Sequence, residues 1–189
     1  MLRFLLESYL VKKIIIQCTT IFVSRHYIWY NLQIQFMSVH KFQRTQFIPV
    51  SLDVAWDFFS HPKNLAVMTP QYLNLKFTNE LYGEEMYPGQ VMTYNVKPVL
   101  GIPMFWMTEI THVVPKKFFV DEQRFGPYAM WHHQHHFKEV EHGVEMTDLI
   151  HYKAPFGFLG DIANVLFIKK QLEGIFEFRK SKVVELFGS

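Results

Sequence analysis

FGFLGDIANVLFIKKQLEGIFEFRKSKVVELF, residues 156–187, places apolar side chains at Leu159, Ile162, Ala163 and Leu166, then at Leu172, Ile175 and Phe176, then at Val183, Leu186 and Phe187. Steps of three and four residues predict one long amphipathic helix over Phe156–Phe187. Its apolar stripe needs a wall to bury against. Leu166, Ile175 and Phe176 are expected to face that wall, and Lys169 and Lys180 to face solvent. Gly174, which costs about 1 kcal/mol relative to Ala inside a helix, marks either a bend or a close approach to the wall.

The wall lies upstream. Strands are predicted at Leu73–Asn79, Gln90–Val99, Ile102–Val113, Phe118–Phe125, Tyr128–Glu139 and Val144–Tyr152, divided by turn signals at Tyr82-Gly83, Pro88-Gly89, Gly101 with Pro103, Pro115, Gly126-Pro127 and His142-Gly143. Connections this short make neighbours antiparallel, since a parallel pair needs a crossover of a dozen or more residues. Ahead of them Lys41–Ile48 alternates at period two and stops at Pro49, a further strand. Ser51 then reads as an N-cap, with Asp53 in the first turn and Val54, Ala55, Phe58 and Phe59 at helical spacing. This helix ends near Ser60, before His61-Pro62. A second short helical turn, Pro62–Val67, is closed by Thr69-Pro70. Strand, two short helices, antiparallel meander and long C-terminal helix define an α+β chain. A curved antiparallel sheet of about seven strands wraps around the last helix.

Composition narrows the function. The chain has 189 residues, 49% of them apolar and 17% aromatic, enough for one core and against a disordered tail. A net charge of +2 lacks the basic excess of a nucleic-acid binder. One cysteine, Cys18, leaves no intrachain disulfide and no multi-cysteine zinc site. Residues 1–36 contain no Gly or Pro and carry Arg3, Lys12, Lys13 and Arg25 against Glu7 alone. The least charged stretch there, Ile14–Ser24, is far below the roughly 20 residues of a membrane span, so no stable membrane insertion is expected. Glu7, Lys12 and Lys13 interrupt a signal-peptide pattern. Residues 1–36 are therefore read as an N-terminal extension, from a misassigned start or poorly ordered, with the domain occupying 37–189 and a cytoplasmic location.

Several stretches carry a resemblance. They are Phe47-Ile48-Pro49 leading to Val54-Ala55-Trp56-Asp57-Phe58-Phe59, Pro62-Lys63-Asn64-Leu65 with Thr69-Pro70, and Val96-Lys97-Pro98 with Gly101-Ile102-Pro103. Asp121-Glu122-Gln123 with Gly126-Pro127-Tyr128, and Trp131-x-His133-x-His135-x-Phe137, complete the set. From residue 37 onward the chain resembles the START-like superfamily (SRPBCC, Bet v 1-like, the helix-grip fold), and within it a bacterial ligand-binding branch often called "cell division inhibitor" after a domain fused to an epimerase-like protein. The resemblance implies a helix-grip fold with a cavity. By analogy it also implies an epimerase-like partner domain.

His132, His133, His135 and His136 fall in one predicted strand. Trp131, His133, His135 and Phe137 share one face, and His132, Gln134, His136 and Lys138 the other. Trp131 and Phe137 mark the first face as inward, where Asp148 and Tyr152 of the next strand join it. Three readings of His133 and His135 stand: hydrogen-bonded core histidines, a polar patch orienting a bound ligand, or two ligands of a metal completed by Asp148. With no thiolate and no His-Glu helix motif, no metal and no cofactor are assigned. Alternation adds Tyr94, Trp106 and Arg124 to the expected cavity lining, with packing alone an equal reading for each aromatic. Asp121-Glu122 and Glu84-Glu85 read as solvated charge. No G-x-S-x-G, phosphate loop or dinucleotide fingerprint occurs.

Two functions follow. The first is binding of a small hydrophobic molecule, such as a lipid, quinone or polyketide-like ring, in a cavity between sheet and helix. The second is a cyclase- or hydratase-type enzyme with His133 or His135 as general base, oriented by Asp148 or Tyr152.

Overall fold

Strand β1 (His40–Ile48) ends at Pro49, which has no N–H to continue a ladder, and pairs antiparallel with the last strand from His40 opposite Tyr152 to Ile48 opposite Val144. The computed structural model describes residues 39–80, 85–99 and 101–188. The expected extension over 1–36, Cys18 and Glu84 lie outside the described residues.

Helix α1 (Leu52–Ser60) begins where Ser51 Oγ accepts the Val54 N–H at 3.4 Å, with Asp53 in the first turn. This satisfies one of the N–H groups a helix start leaves unpaired, and the acid complements the dipole. The helix buries Ala55 and Trp56; Trp56 lies edge-on to Phe119 and Phe137, with ring centroids 6.2 and 5.4 Å away. Two single 3₁₀ turns follow, Pro62–Leu65 and Gln71–Leu73. The second takes over part of the strand predicted at Leu73–Asn79. Asn74 closes the turn in the left-handed conformation (φ 47°, ψ 47°), so only β2 (Lys76–Phe77) remains to pair.

The remaining strands are β3 (Val91–Val99), β4 (Ile102–Val114), β5 (Phe118–Phe125), β6 (Met130–Val140) and β7 (Gly143–Lys153). All neighbours are antiparallel, in the order β1-β7-β6-β5-β4-β3-β2. Register shifts in β3–β4 and at two places in β4–β5 bend the sheet, as bulges do. The hollow receives the C-terminal segment, as the order of elements predicts, and the architecture is the helix-grip, Bet v 1-like fold that the resemblance implies.

That segment is not one regular helix. It consists of α2 (Phe158–Ala163), a π-helical turn over Asn164–Ile168, and α3 (Lys169–Phe187). In α3 the stripe Leu172, Phe176 and Val183 is buried as its spacing requires. Upstream the inward positions are Gly160 and Asn164, while Leu159, Ile162 and Leu166 are at least half exposed. The expectation that Leu166 faces the sheet is thus corrected. A π turn holds more residues than an α turn, so apolar positions in phase with one another before and after it point in different directions. Asn164 is held inside because its Oδ1 accepts the Tyr152 hydroxyl at 2.7 Å.

Gly174 is not a point of close approach: a Cβ there meets nothing within 4 Å. The close approach is at Gly160, where a Cβ would collide with the Pro155 carbonyl oxygen. Gly160→Ala is expected to cost about 1–3 kcal/mol in urea unfolding, as overpacking does. Gly174→Ala should be neutral or slightly stabilising, and equal behaviour of the two variants would refute this assignment.

Candidate functional site

The site is written by strand register. Asp121 of β5 stands opposite His133 of β6, and His135 of β6 stands opposite Asp148 of β7. Directly opposed residues share a face, and positions two apart on β6 do as well, so three adjacent strands gather two carboxyls and two imidazoles on the concave side. His133 Nε2 donates to Asp148 Oδ1 at 2.9 Å, and His135 Nε2 donates to Asp121 Oδ2 at 2.8 Å. The other nitrogens complete the ring: His133 Nδ1 is 3.4 Å from Asp121 Oδ2, and His135 Nδ1 is 2.9 Å from Asp148 Oδ1 but outside hydrogen-bonding geometry. The imidazoles lie 3.8 Å apart between centroids, and His135 stacks on Phe119 at 4.1 Å.

Burial and charge pull in different directions here. Burial alone would raise both carboxyls, yet the two histidines beside them hold Asp121 and Asp148 below the ordinary 3.8, with Arg179 adding to the effect on Asp121. Burial and the neighbouring His135 push His133 below 6.5, against the pull of the two carboxylates. For His135, burial is outweighed by Asp121 and Asp148, and its pKa rises. At neutral pH His135 is thus the group that more readily carries the proton, and His133 is the neutral imidazole able both to donate and to accept.

This cluster forms one wall of a cavity of about 170 Å³. Tyr94, Trp106 and Trp131 form the aromatic wall, Leu65 and Met68 close one side, and Ile175, Phe176 and Arg179 of α3 close another. Tyr94 stacks on Trp106 at 6.1 Å, and Trp106 meets Trp131 edge-on at 5.5 Å. The Tyr94 hydroxyl is paired with Thr108 Oγ1 at 2.9 Å, and burial raises its pKa. Trp106 Nε1 is buried with no hydrogen-bond partner. Such a donor carries a desolvation cost that an acceptor placed beside it would remove.

Of the expected lining, the structure brings Tyr94, Trp106, Trp131, His133, His135 and Asp148 to this cavity. Three expectations are corrected. Arg124 is on the opposite face, where its Nε bonds Glu109 at 2.6 Å and its Nη1 bonds Glu122 at 3.0 Å. Phe137 is inward but does not line the cavity; it packs against Trp56 and behind the lining residue Phe119. Tyr152 is also inward, with its hydroxyl used up on Asn164. The solvated reading of Asp121 is wrong as well, although Glu122 does face outward, paired with His132 Nδ1 at 2.8 Å. Arg179 is a lining residue the sequence reading missed. Its signal was its place three residues after Phe176, on the same helix face; its guanidinium sits 4.9 Å over the Phe176 ring and its Nε donates to the Met68 carbonyl at 3.2 Å.

No protein-family model and no curated protein sequence matches the chain. Solved structures do match in shape. Protein CV1439 from Chromobacterium violaceum superposes with a TM-score of 0.59 at 9% identity, over 79% of this chain and 97% of that one. Major latex-like protein 151 from Panax ginseng gives 0.58 at 14% identity, over 79% and 97%. The nucleoside-diphosphate sugar epimerase from Corynebacterium glutamicum gives 0.54 at 19% identity, over 76% of this chain and only 28% of that protein. These likenesses establish the fold. Among the described residues no helix is long and apolar enough to cross a membrane.

Proposed function

We propose that the protein binds a compact hydrophobic molecule of the ring type, quinone-like or polyketide-like, in the cavity between sheet and C-terminal helix, working in the cytoplasm. The carrying observation is a largely apolar enclosure with one polar wall of four residues and an unpaired Trp106 N–H. Its volume argues for rings over a long-chain lipid, since a cavity of about 150 Å³ accommodates benzene. The polar wall suits a ligand with a hydroxyl or carbonyl at one end. Partnership with an epimerase-like domain belongs to the same proposal, supported by the match of this fold to about a quarter of the Corynebacterium epimerase.

The test is titration with 2-naphthol, followed by its fluorescence in EDTA-containing buffer. His133→Ala and His135→Ala are expected to weaken binding by about 1–3 kcal/mol each, the cost of a hydrogen bond lost in a buried site. His132→Ala and His136→Ala should change it little. Those two side chains lie on the outer face, in a ladder where Gln134 donates to His132 Nε2 at 3.0 Å and accepts from His136 Nε2 at 2.8 Å. Sensitivity confined to the outer pair would end the proposal.

A second reading, cyclase or hydratase chemistry, is favoured by one specific contact. Neutral His133 is held by Asp148 at 2.9 Å in the wall of the cavity, the arrangement of an oriented general base. Mass and NMR spectra of a bound ligand before and after incubation distinguish the two: a change by one water or a new ring at unchanged mass supports catalysis, and an unchanged molecule supports binding alone.

A further inference from the structure

We propose that Asp121, His133 and His135 bind one divalent first-row transition-metal ion of the zinc and ferrous class, with Asp148 as the outer carboxylate that orients both imidazoles. One donor atom from each of the three lies within 4.8 Å of the others. Donors at metal-bond lengths of about 2.0–2.2 Å in a tetrahedral site stand roughly 3.4 Å apart. From Asp121 Oδ2, His133 Nδ1 already stands at 3.4 Å, and His135 Nε2, at 2.8 Å, is closer than that value. Opening the Asp121–His135 hydrogen bond is the adjustment an ion requires.

The orientation of the rings is the stronger argument. A ligating histidine gives one nitrogen to the ion and the other N–H to a carboxylate, which fixes tautomer and ring plane. Here His133 and His135 each turn one nitrogen toward Asp121 and the other toward the same oxygen of Asp148, at 2.9 Å in both cases. Buried His135 Nδ1 has its carboxylate at the right distance but outside hydrogen-bonding geometry.

Charge points the same way. Ligation requires both imidazoles unprotonated; once the ion displaces the His135 proton, the two carboxylates carry −2, which one dication cancels. Among the described residues the one Lys or Arg of the cavity lining, Arg179, is already engaged by the Met68 carbonyl and the Phe176 ring. The donor set selects the metal class, because two imidazoles and one carboxylate suit zinc or non-haem iron and not magnesium or calcium. Three protein ligands leave a coordination position for a ligand oxygen. The sequence offers Asp148 as third ligand, and a metal is set aside there for want of a thiolate and a His-Glu helix motif. Register makes Asp121 the third ligand and puts Asp148 behind the histidines.

The proposal does not depend on the hydrophobic-ligand reading, since the probes are metals alone. Full-length protein stripped with EDTA is titrated with Zn²⁺ by calorimetry and with Co²⁺ by visible absorption, and melting curves are recorded with and without metal. One ion per chain, visible Co²⁺ bands and a higher melting temperature are expected. Asp121→Asn and His135→Gln should abolish all three, and Asp148→Asn should weaken binding about 10- to 100-fold. His132→Gln, which removes the outer His132–Glu122 pair, should change nothing. Absence of saturable binding by the unmodified chain overturns the proposal regardless of how the variants fold. Binding that persists in Asp121→Asn and His135→Gln, or that is lost equally in His132→Gln, overturns it too.

Discussion

Phe176→Ala is expected to lower the unfolding free energy by about 3–5 kcal/mol, the range for an aromatic side chain deleted from a core. Phe176 is 6% exposed, packs on Phe42 at 4.9 Å and on His133 at 6.1 Å, and carries the Arg179 guanidinium on its ring. Three losses therefore coincide: apolar burial against β1, the cation–π contact, and the cavity wall beside the histidines. The substitution leaves a void continuous with the existing cavity, which the surrounding strands cannot close without breaking their ladders. Lys180→Ala, on the exposed side of the same helix, should stay within about 0.5 kcal/mol of the parent. Urea unfolding of the three proteins decides it, and comparable midpoints for Phe176→Ala and Lys180→Ala would mean the grip is made by another face of α3.

Residues on central strands were the legible part of this chain. β6 lies between β5 and β7, and the alternation shows in its burial: His133, His135 and Phe137 are buried with half-buried Gln134 and His136 between them, while Trp131 is half-buried. Edges and turns were less legible. The first strand after α1 keeps only Lys76 and Phe77 because the 3₁₀ turn at Gln71–Leu73 and left-handed Asn74 satisfy the backbone locally. Asp121 escaped because the period-two signal fails around it. Phe119 and Val120, neighbours on opposite faces, are both buried, and the register of β4 against β5 slips between Ile110 and His112. Burial on both faces removes the contrast that tells in from out.

The helix tells the same story from another direction. Periodicity located the buried stripe of α3 but could not reveal the π turn at Asn164–Ile168, at whose first residue Asn164 the tertiary bond from Tyr152 is made. A pattern read at 3.6 residues per turn carried Leu166 inward across a segment where that period does not hold. The cavity depends on a further level, the cross-strand partners Asp121–His133 and His135–Asp148, which no single strand specifies. Face can be read from one strand; register needs two.

Asp148→Ala is expected to cost as much as the loss of Phe176, about 3–5 kcal/mol, for an electrostatic reason. Asp148 is 3% exposed and accepts from His133 Nε2, with His135 Nδ1 at 2.9 Å on the same oxygen. Its removal leaves one buried imidazole without an acceptor and takes from His135 one of the two carboxylates that hold its proton. Asp148→Asn keeps an acceptor oxygen without the charge and should cost less, about 1–3 kcal/mol. The pH dependence separates this from mere packing. The folded pKa of Asp148 is depressed below 3.8, so its contribution is fully present above that value and is lost as the pH falls through the folded pKa. Asp148→Asn has no such contribution to lose, so the gap between it and the parent should narrow steadily below about pH 4. Measurement is by urea unfolding at stepped pH with EDTA present, so that metal binding does not enter. A gap that stays constant into acid would mean that the carboxyl is already protonated, and that the histidines are held by something other than its charge.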